Sequence, residues 1–205
     1  MADNRVITIA RGYGSGGRTM GKMWAEELGW HYYDLELLQI AADESGISEQ
    51  LFAQADEIAK KSLFTRVSHN ALDGEVIPPT SSEFTSNENL FRYQAKVIRD
   101  LAAKENCIIV GRCGNYILRD RPNVLKVYVH APEQTCIRTV MNMFSLDRDE
   151  AERRIHEIDK KRAEYYRHFT GRDWQCADDY DLCIDSSRMS WDKCIHVVKA
   201  YLDSM

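Results

Sequence analysis

A glycine-rich stretch near the start of the chain constrains its fold more than any other feature. It follows an apolar run, residues 6–10, and leads directly into a segment whose apolar side chains have helical spacing. Four glycines in six positions let the backbone turn sharply and point several N–H groups inward, and the start of a helix adds a positive potential. The stretch therefore predicts a phosphate-binding loop between a strand and a helix. Its residues are Gly12, Tyr13, Gly14, Ser15, Gly16, Gly17, Arg18 and Thr19.

The spacing of these glycines fits two nucleotide-binding patterns. Against G-x-x-x-x-G-K-[ST], Gly12, Gly17 and Thr19 match, and Arg18 stands at the lysine position. The guanidinium of Arg18 would bind phosphate oxygens in pairs, and the Thr19 hydroxyl would bind a magnesium ion. The glycines also spell G-x-G-x-x-G, and Asp34 follows at about the spacing of the acidic residue in dinucleotide-binding proteins. A tight turn without a ligand is the third interpretation, and the Arg18-Thr19 ending favours the first.

Composition restricts the class of protein. The chain has 205 residues, of which 44% are hydrophobic and 29% charged, as in an ordinary globular domain. Its net charge of −5 gives no general reason to expect a nucleic-acid partner. The sequence opens without a basic and apolar leader and has no run of membrane-spanning length, so we expect no membrane contact and a cytoplasmic location. Its cysteines lack C-x-x-C spacing and its histidines lack zinc-ligand spacing.

Strand-like and helix-like segments alternate along the chain. Short apolar or β-type runs occur at residues 6–10, 31–34, 107–110, 124–129 and 181–185, and segments with helical periodicity separate them. Such alternation predicts an α/β fold in which a parallel sheet is covered by helices on both faces.

Three polar signals follow strands of this predicted sheet: the glycine loop, which we define as residues 12–18, then Asp34, and the pair Gly111-Arg112. In parallel α/β sheets, ligands bind at the carboxyl ends of the strands. We therefore expect these three signals to lie near one another and to form one anion site.

A long basic segment is predicted to form a helix over residues 147–168, whose first and fourth residues make a capping box. Helical spacing places Asp159 and Arg162 on one face. One interpretation is a solvated helix with ion pairs along its surface. The other is a lid that closes on phosphate groups and excludes water, with Asp159 orienting the guanidinium of Arg162.

Regular periodicity is lost over residues 63–89, where proline, serine and asparagine are frequent. This composition predicts a mobile loop, with helices on either side at residues 48–62 and from Phe91 onward. The loop contains Arg66 and His69, which either face a ligand or are plain surface residues.

Several segments resemble the cytidylate kinase-like family, a branch of the P-loop nucleoside monophosphate kinases. The similarity includes residues 7–18 and shorter segments spread over nearly the whole chain. These shorter segments are Tyr33-Asp34 and residues 109–113, 159–166, 170–174 and 180–182.

The resemblance implies a P-loop NTPase-type, three-layer α/β/α fold with a five-stranded parallel sheet of order 2-3-1-4-5. It implies one domain over residues 1–205, with a helical acceptor-binding insertion at 44–98 and a helical lid region at 138–175. The implied activity is transfer of the γ-phosphate of ATP, with Mg²⁺, to a nucleoside monophosphate or a similar small phosphate-bearing acceptor. CMP and dCMP are the first acceptors to consider. The oligomeric state is not implied.

The resemblance also assigns roles to individual residues. Arg18 and the loop backbone would hold the donor phosphates, and Arg112 would hold the phosphate of the acceptor. Asp159 and Arg162 correspond to the Asp-x-x-Arg of the lid, and Arg162 would stabilise the transferring group.

Two departures from the family pattern concern the magnesium and donor sites. Arg18 replaces the usual lysine, and Val110 stands where an acidic residue near the magnesium is expected. Thr19 is then the expected metal ligand, with Asp34 as the second candidate. These departures leave open a nucleotide-binding regulatory protein or a pseudokinase. A dinucleotide-dependent oxidoreductase is the remaining alternative, disfavoured because little chain after residue 129 is left for a substrate domain.

Overall fold

Five parallel strands form one central sheet in the computed structural model, which describes residues 4–58, 72 and 74–205. Their spatial order is β2-β3-β1-β4-β5, which confirms the predicted order, and each neighbouring pair is parallel. The strands are β1 (Val6–Arg11), β2 (His31–Tyr33), β3 (Cys107–Val110), β4 (Val124–His130) and β5 (Leu182–Asp185).

Helices cover both faces of this sheet, so the three-layer α/β/α class is also confirmed. The helices are α1 (Gly17–Leu28), α2 (Glu36–Ser45), α3 (Glu49–Ile58), α4 (Asn87–Lys104), α5 (Gly114–Ile117), α6 (Glu133–Phe144), α7 (Arg148–Thr170) and α8 (Trp191–Ser204). The short α5 has no counterpart among the sequence predictions.

Alternate side chains of β3 enter different apolar layers. Ile109 packs in a cluster with Leu37 of α2 and Ile98 of α4, whereas Ile108 packs in a cluster with Trp24 of α1 and Ile195 of α8. All of these side chains are fully buried or nearly so. A central strand that is covered on both faces therefore needs the continuous apolar run that the sequence contains.

Local sequence signals explain where α7 begins and ends. Asp147 Oδ1 accepts a hydrogen bond from the N–H of Glu150 at 2.8 Å, and Glu150 Oε2 accepts one from the N–H of Asp147 at 3.3 Å, which forms the predicted capping box. The helix ends at Gly171, whose φ of 70° is the left-handed conformation common at helix C-termini.

The segment before α4 is held by a buried asparagine. Asn89 Oδ1 accepts from the N–H of Ile77 at 2.7 Å, and Asn89 Nδ2 donates to the carbonyl oxygens of Ile77 and Phe84. Turns occupy much of residues 79–85, as the predicted loop requires. Helix α4 begins at Asn87, inside the predicted loop and before the predicted start at Phe91, because Ser86 Oγ caps it by accepting from the N–H of Asn89 at 3.3 Å. Arg66 and His69 lie outside the described residues.

In the described part of the chain, every helix is too short or too polar to cross a bilayer.

Candidate functional site

The glycine loop connects β1 to α1 at the carboxyl edge of the sheet. Gly14 and Gly16 have φ angles of 82° and 81°, which side-chain-bearing residues rarely adopt. A Cβ on Gly14 would lie 2.7 Å from the carbonyl oxygen of Cys136, and one on Gly16 would overlap the ring of Trp191. The predicted loop therefore depends on glycine for its conformation and for the space around it.

Two serine hydroxyls, that of Ser15 within the loop and that of Ser186 outside it, form hydrogen bonds with the loop backbone. Ser15 Oγ donates to the carbonyl oxygen of Gly12 at 2.8 Å and accepts from the N–H of Gly17 at 3.4 Å. Ser186, just after β5, donates its Oγ–H toward the carbonyl oxygen of Ser15 at 2.6 Å. These hydrogen bonds restrain the backbone of the loop, which a phosphate cradle needs in order to point its N–H groups inward.

Helix α7 contacts the loop through the two lid residues that the sequence singled out. The N–H of Tyr13 donates to the carboxylate of Asp159, with distances of 2.9 and 3.0 Å to its two oxygens. Arg162 Nη1 donates to Asp159 Oδ1 at 3.0 Å and to the carbonyl oxygen of Arg11 at 3.1 Å. A loop amide thus binds an anionic oxygen, the kind of group that a phosphate offers.

Burial dominates the electrostatics of this pair. It raises the pKa of Asp159, although Arg162 and the N–H of Tyr13 act in the opposite direction. Burial also lowers the pKa of Arg162 despite the neighbouring carboxylate. Both charges are therefore held at a desolvation cost, which is common at functional sites.

Two of the predicted donor and metal residues, Arg18 and Asp34, lie next to one another. Arg18 Nε is 2.6 Å from Asp34 Oδ2, and the Arg18 side chain is 58% exposed while that of Asp34 is 9% exposed. Thr19 lies in the first turn of α1 and is partly exposed. A magnesium ion at Asp34 would therefore compete with the guanidinium of Arg18.

A cavity of about 350 Å³ lies between the carboxyl ends of β1 and β3 and one face of α7. We call it the arginine cavity. Its charged lining consists, among the described residues, of Arg11, Asp34, Arg112, Lys161 and Arg162, and its aromatic lining of Tyr165, Tyr166 and Trp174. The structure thus brings the predicted Asp34, Arg112 and Arg162 to one cavity.

The turn after β3 supplies Arg112 to this cavity. Gly111, Arg112 and Cys113 all have positive φ, of 78°, 55° and 55°. Non-glycine residues in this region carry conformational strain of about 1–3 kcal/mol each, and such strain is concentrated at functional sites. The turn ends in α5, whose first residue packs against β1 and β3.

Sequence reasoning missed Arg11, the last residue of β1. Its side chain lies in the arginine cavity, and burial together with Arg162 lowers its pKa to about 9. The signal that could have revealed it is register, because β1 pairs Ile9 with Val110 and so brings Arg11 level with Arg112, two residues further along each strand.

A larger cleft, about 710 Å³, runs along the other side of α7. Asp159 lines it together with Gly12, Tyr13 and Lys160. We call it the outer cleft. Asp159 therefore faces the outer cleft, and Arg162, one helical turn later, faces the arginine cavity. The pair thus lies between the two cavities.

One further set of groups could hold a cation: the ligand atoms of Glu133, Glu152 and His156 lie within 4.8 Å of one another. His156 Nε2 is 3.2 Å from Glu133 Oε1 and 3.9 Å from Glu152 Oε1. Glu133 and His156 are exposed, and their contact links α6 to α7.

Comparisons with known proteins identify the family of the chain. The model of the cytidylate kinase-like family matches residues 6–188. A cytidylate kinase of Methanopyrus kandleri is 26% identical over 209 residues, covering 98% of this chain and 94% of that protein. A cytidylate kinase of Methanosarcina barkeri is also 26% identical, over 200 residues, covering 97% of each.

Two solved structures share the fold. A protein from Eubacterium ventriosum, titled uncharacterized, aligns with a TM-score of 0.71 and 24% identity, covering 98% of this chain and 100% of that chain. A shikimate kinase from Bacteroides thetaiotaomicron aligns with a TM-score of 0.54 and 13% identity, covering 97% of this chain and 98% of that chain.

Proposed function

Because this chain belongs to the cytidylate kinase-like family, we propose that it transfers the γ-phosphoryl group of ATP to a nucleoside monophosphate, with CMP and dCMP as first candidates. The observation that carries the proposal is the position of Arg162. It faces the cationic arginine cavity while it binds Asp159, which itself binds an amide of the glycine loop. Donor and acceptor phosphates on either side of this pair would meet at one guanidinium.

The glycine loop is proposed to hold the β- and γ-phosphates of ATP. Residues 12–18 would supply backbone N–H groups, and the α1 N-terminus would supply its positive potential. The bond between the Tyr13 N–H and Asp159 supports this role, since the amide already binds a carboxylate oxygen. Arg18 would leave Asp34 to bind the donor phosphates, in place of the usual lysine.

Magnesium fits the same region through its oxygen donors. Thr19 would offer a hydroxyl and Asp34 a carboxylate, both of which are ligand types that magnesium prefers. The ion would neutralise charge on the donor phosphates. When the donor and the metal bind, the guanidinium of Arg18 would move from Asp34 to the donor phosphates, which would free the Asp34 carboxylate for the metal.

Arg112 is proposed to hold the phosphate of the acceptor in the arginine cavity. An oxygen of that phosphate would attack the γ-phosphorus while the bond to the β,γ-bridging oxygen breaks, giving ADP and a nucleoside diphosphate. A phosphate monoester is ionised near neutral pH, so a general base is not required. Arg162 would stabilise the charge spread over the transferring group, as arginines do in phosphoryl transfer.

Asp159 is proposed to orient Arg162 and to release the backbone N–H of Tyr13 when the donor binds. Its present position over the loop occupies an N–H group that a phosphate would need. Donor binding would then move the carboxylate and adjust α7 over the transferring group. Such closure excludes water and so limits hydrolysis of ATP.

A nucleotide-binding regulatory protein or pseudokinase is the second candidate. The observation that favours it is the ion pair of Arg18 with Asp34, because it engages both a donor-binding and a metal-binding candidate. This alternative predicts ATP binding without acceptor-dependent turnover. The family match favours both candidates over a dinucleotide-dependent oxidoreductase.

The test is ADP release from ATP and Mg²⁺, measured by a coupled assay against ribo- and deoxyribonucleoside monophosphates. We expect CMP or dCMP to stimulate release strongly, and Arg112→Ala to raise the acceptor KM at least tenfold. Arg119→Ala, which removes an exposed arginine next to Asp120, is the matched control. ATP binding with no stimulation by any monophosphate would favour the regulatory alternative.

A further inference from the structure

We infer that Arg11 is a direct ligand of the acceptor phosphate, supplied by the same strand that leads into the glycine loop; this assignment rests on the proposed function. The two reacting phosphates would then be positioned by adjacent residues of one rigid segment. Arg11 would hold the acceptor, and the backbone from Gly12 onward would hold the donor.

The first observation is an unsatisfied donor. Arg11 Nε is buried and has no hydrogen-bond partner among the residues that the structure describes. The guanidinium reaches one carboxylate, with Nη2 3.9 Å from Asp34 Oδ1, at the outer limit of an ion pair. A buried donor without a partner is costly, so the structure keeps this group at the expense of stability. An anionic oxygen in the arginine cavity would satisfy it.

The second observation is the close approach of the Arg11 side chain to the turn after β3. A Cβ on Gly111 would overlap Arg11 Nη1, and Gly111 also has a φ of 78°. The guanidinium of Arg11 therefore lies directly against the turn that presents Arg112. Arg162 Nη1 donates to the carbonyl oxygen of Arg11, which fixes the backbone of the same residue. Both other arginines of the cavity thus lie close to Arg11.

The third observation is the excess of positive charge. The described charged residues that line the arginine cavity comprise four cationic side chains and one carboxylate, that of Asp34. Burial first, and then repulsion from Arg162 and Arg112, lowers the pKa of Arg11 to about 9, with Asp34 opposing the shift. A phosphate dianion would offset most of this excess positive charge. The planar guanidinium could also bind two of its oxygens at once.

This arrangement specifies the class of acceptor. Three arginines around one cavity suit a phosphate monoester and not an uncharged hydroxyl acceptor. Nucleosides without a phosphate should therefore neither bind in the cavity nor stimulate ADP release. Arg11 would then contact the phosphate of the acceptor and neither its base nor its sugar.

The test measures binding of inorganic phosphate by calorimetry in the presence of saturating ADP, which keeps the glycine loop occupied. We expect Arg11→Met to weaken phosphate binding at least tenfold, and Arg11→Lys to restore part of the affinity. Arg119→Met should stay within twofold of the wild type. In steady-state kinetics, Arg11→Met should raise the KM for the acceptor at least tenfold and leave the KM for ATP within twofold.

Phosphate affinity equal to wild type in a folded Arg11→Met protein would overturn the assignment. If that variant does not fold, a crystal structure of the wild-type chain with ADP and phosphate replaces it. Phosphate hydrogen-bonded to the guanidinium of Arg11 would support the inference, and phosphate held by other residues alone would refute it. If ADP binds, phosphate depends on Arg11 and no nucleoside monophosphate is phosphorylated, the proposed function fails while the anion site stands.

Discussion

The carboxylate of Asp159 accepts a hydrogen bond from the backbone N–H of Tyr13 at 2.9 Å, across 146 positions of sequence. A side chain of α7 thus holds an amide of the glycine loop. The same carboxylate binds Arg162, so loop, carboxylate and guanidinium form one connected chain of hydrogen bonds. Donor phosphate and Asp159 would compete for the amide, which links donor binding to the position of Arg162.

Asp159→Asn tests this link. The neutral amide of this variant would orient Arg162 less well than the carboxylate does, and we expect kcat to fall at least tenfold. Glu157→Gln, which removes an exposed carboxylate from the same helix, should leave kcat within twofold. Equal kcat values for Asp159→Asn and the wild type would remove Asp159 from the proposed mechanism.

The raised pKa of Asp159 predicts how the stability of Asp159→Asn relative to the wild type depends on pH. Because the pKa of Asp159 is raised in the folded state, the folded state binds this proton more tightly than the unfolded state. Its contribution to stability is present below the unfolded pKa and is lost as pH rises through the folded pKa. Asp159→Asn should therefore be at least as stable as the wild type at pH 7, with the advantage shrinking toward pH 4. Thermal unfolding at both pH values measures the difference.

Arg18→Ala should abolish ATP turnover with little effect on folding. The side chain is 58% exposed, so loss of its ion pair with Asp34 should change the free energy of unfolding by about 1 kcal/mol or less. We expect kcat/KM for ATP to fall at least a hundredfold, and Arg18→Lys to recover much of it. Kinetics like those of the wild type in Arg18→Ala would contradict the donor-binding role.

Gly14→Ala should disrupt the loop through both strain and overlap. The substitution places a side chain at a φ of 82° and 2.7 Å from the carbonyl oxygen of Cys136. We expect a loss of about 2–4 kcal/mol in the free energy of unfolding, measured with urea, and loss of ATP binding. Gly46→Ala is the matched control, because its φ is 73° but a Cβ there would meet nothing within 4 Å. It should cost only about 1 kcal/mol.

Tyr166→Phe should separate stability from catalysis at the wall of the arginine cavity. Asn115 Nδ2 donates to the Tyr166 hydroxyl at 2.9 Å, and both residues are buried. Removing the hydroxyl leaves a buried amide donor without this partner, at a cost of about 1–3 kcal/mol. We expect the free energy of unfolding in urea to fall by this amount, and kcat to stay within threefold of the wild type. A large fall in kcat would instead give the hydroxyl a direct role in the reaction.

Local sequence predicted those parts of the fold that depend on neighbouring residues. The apolar run of β3 predicted a central strand, and Asp147 with Glu150 predicted the start of α7. Glycine spacing predicted the loop, since its conformation needs left-handed backbone at Gly14 and Gly16. The family resemblance supplied the strand order, which no local signal determines.

The parts that could not be predicted depend on distant contacts. Neither the bond of Asp159 to the Tyr13 amide nor the desolvation of Arg11 can be seen without the three-dimensional packing. Arg112 and Cys113 adopt left-handed conformations although neither is glycine, so composition gives no warning of that turn. The roles of Arg18, Thr19 and Asp34 stay predictions, and the ion pair of Arg18 with Asp34 is a further contact that the sequence does not reveal.

The central position of β1 also matters for synthesis of the protein. Val6 pairs with Cys107 on one side and with Val124 on the other, so β1 precedes both of its neighbouring strands in the chain. Until β3 and β4 have both been synthesised, the backbone N–H and C=O groups along at least one edge of β1 have no native partner. We therefore expect a chain truncated before β4 to expose an unpaired strand edge, which promotes aggregation.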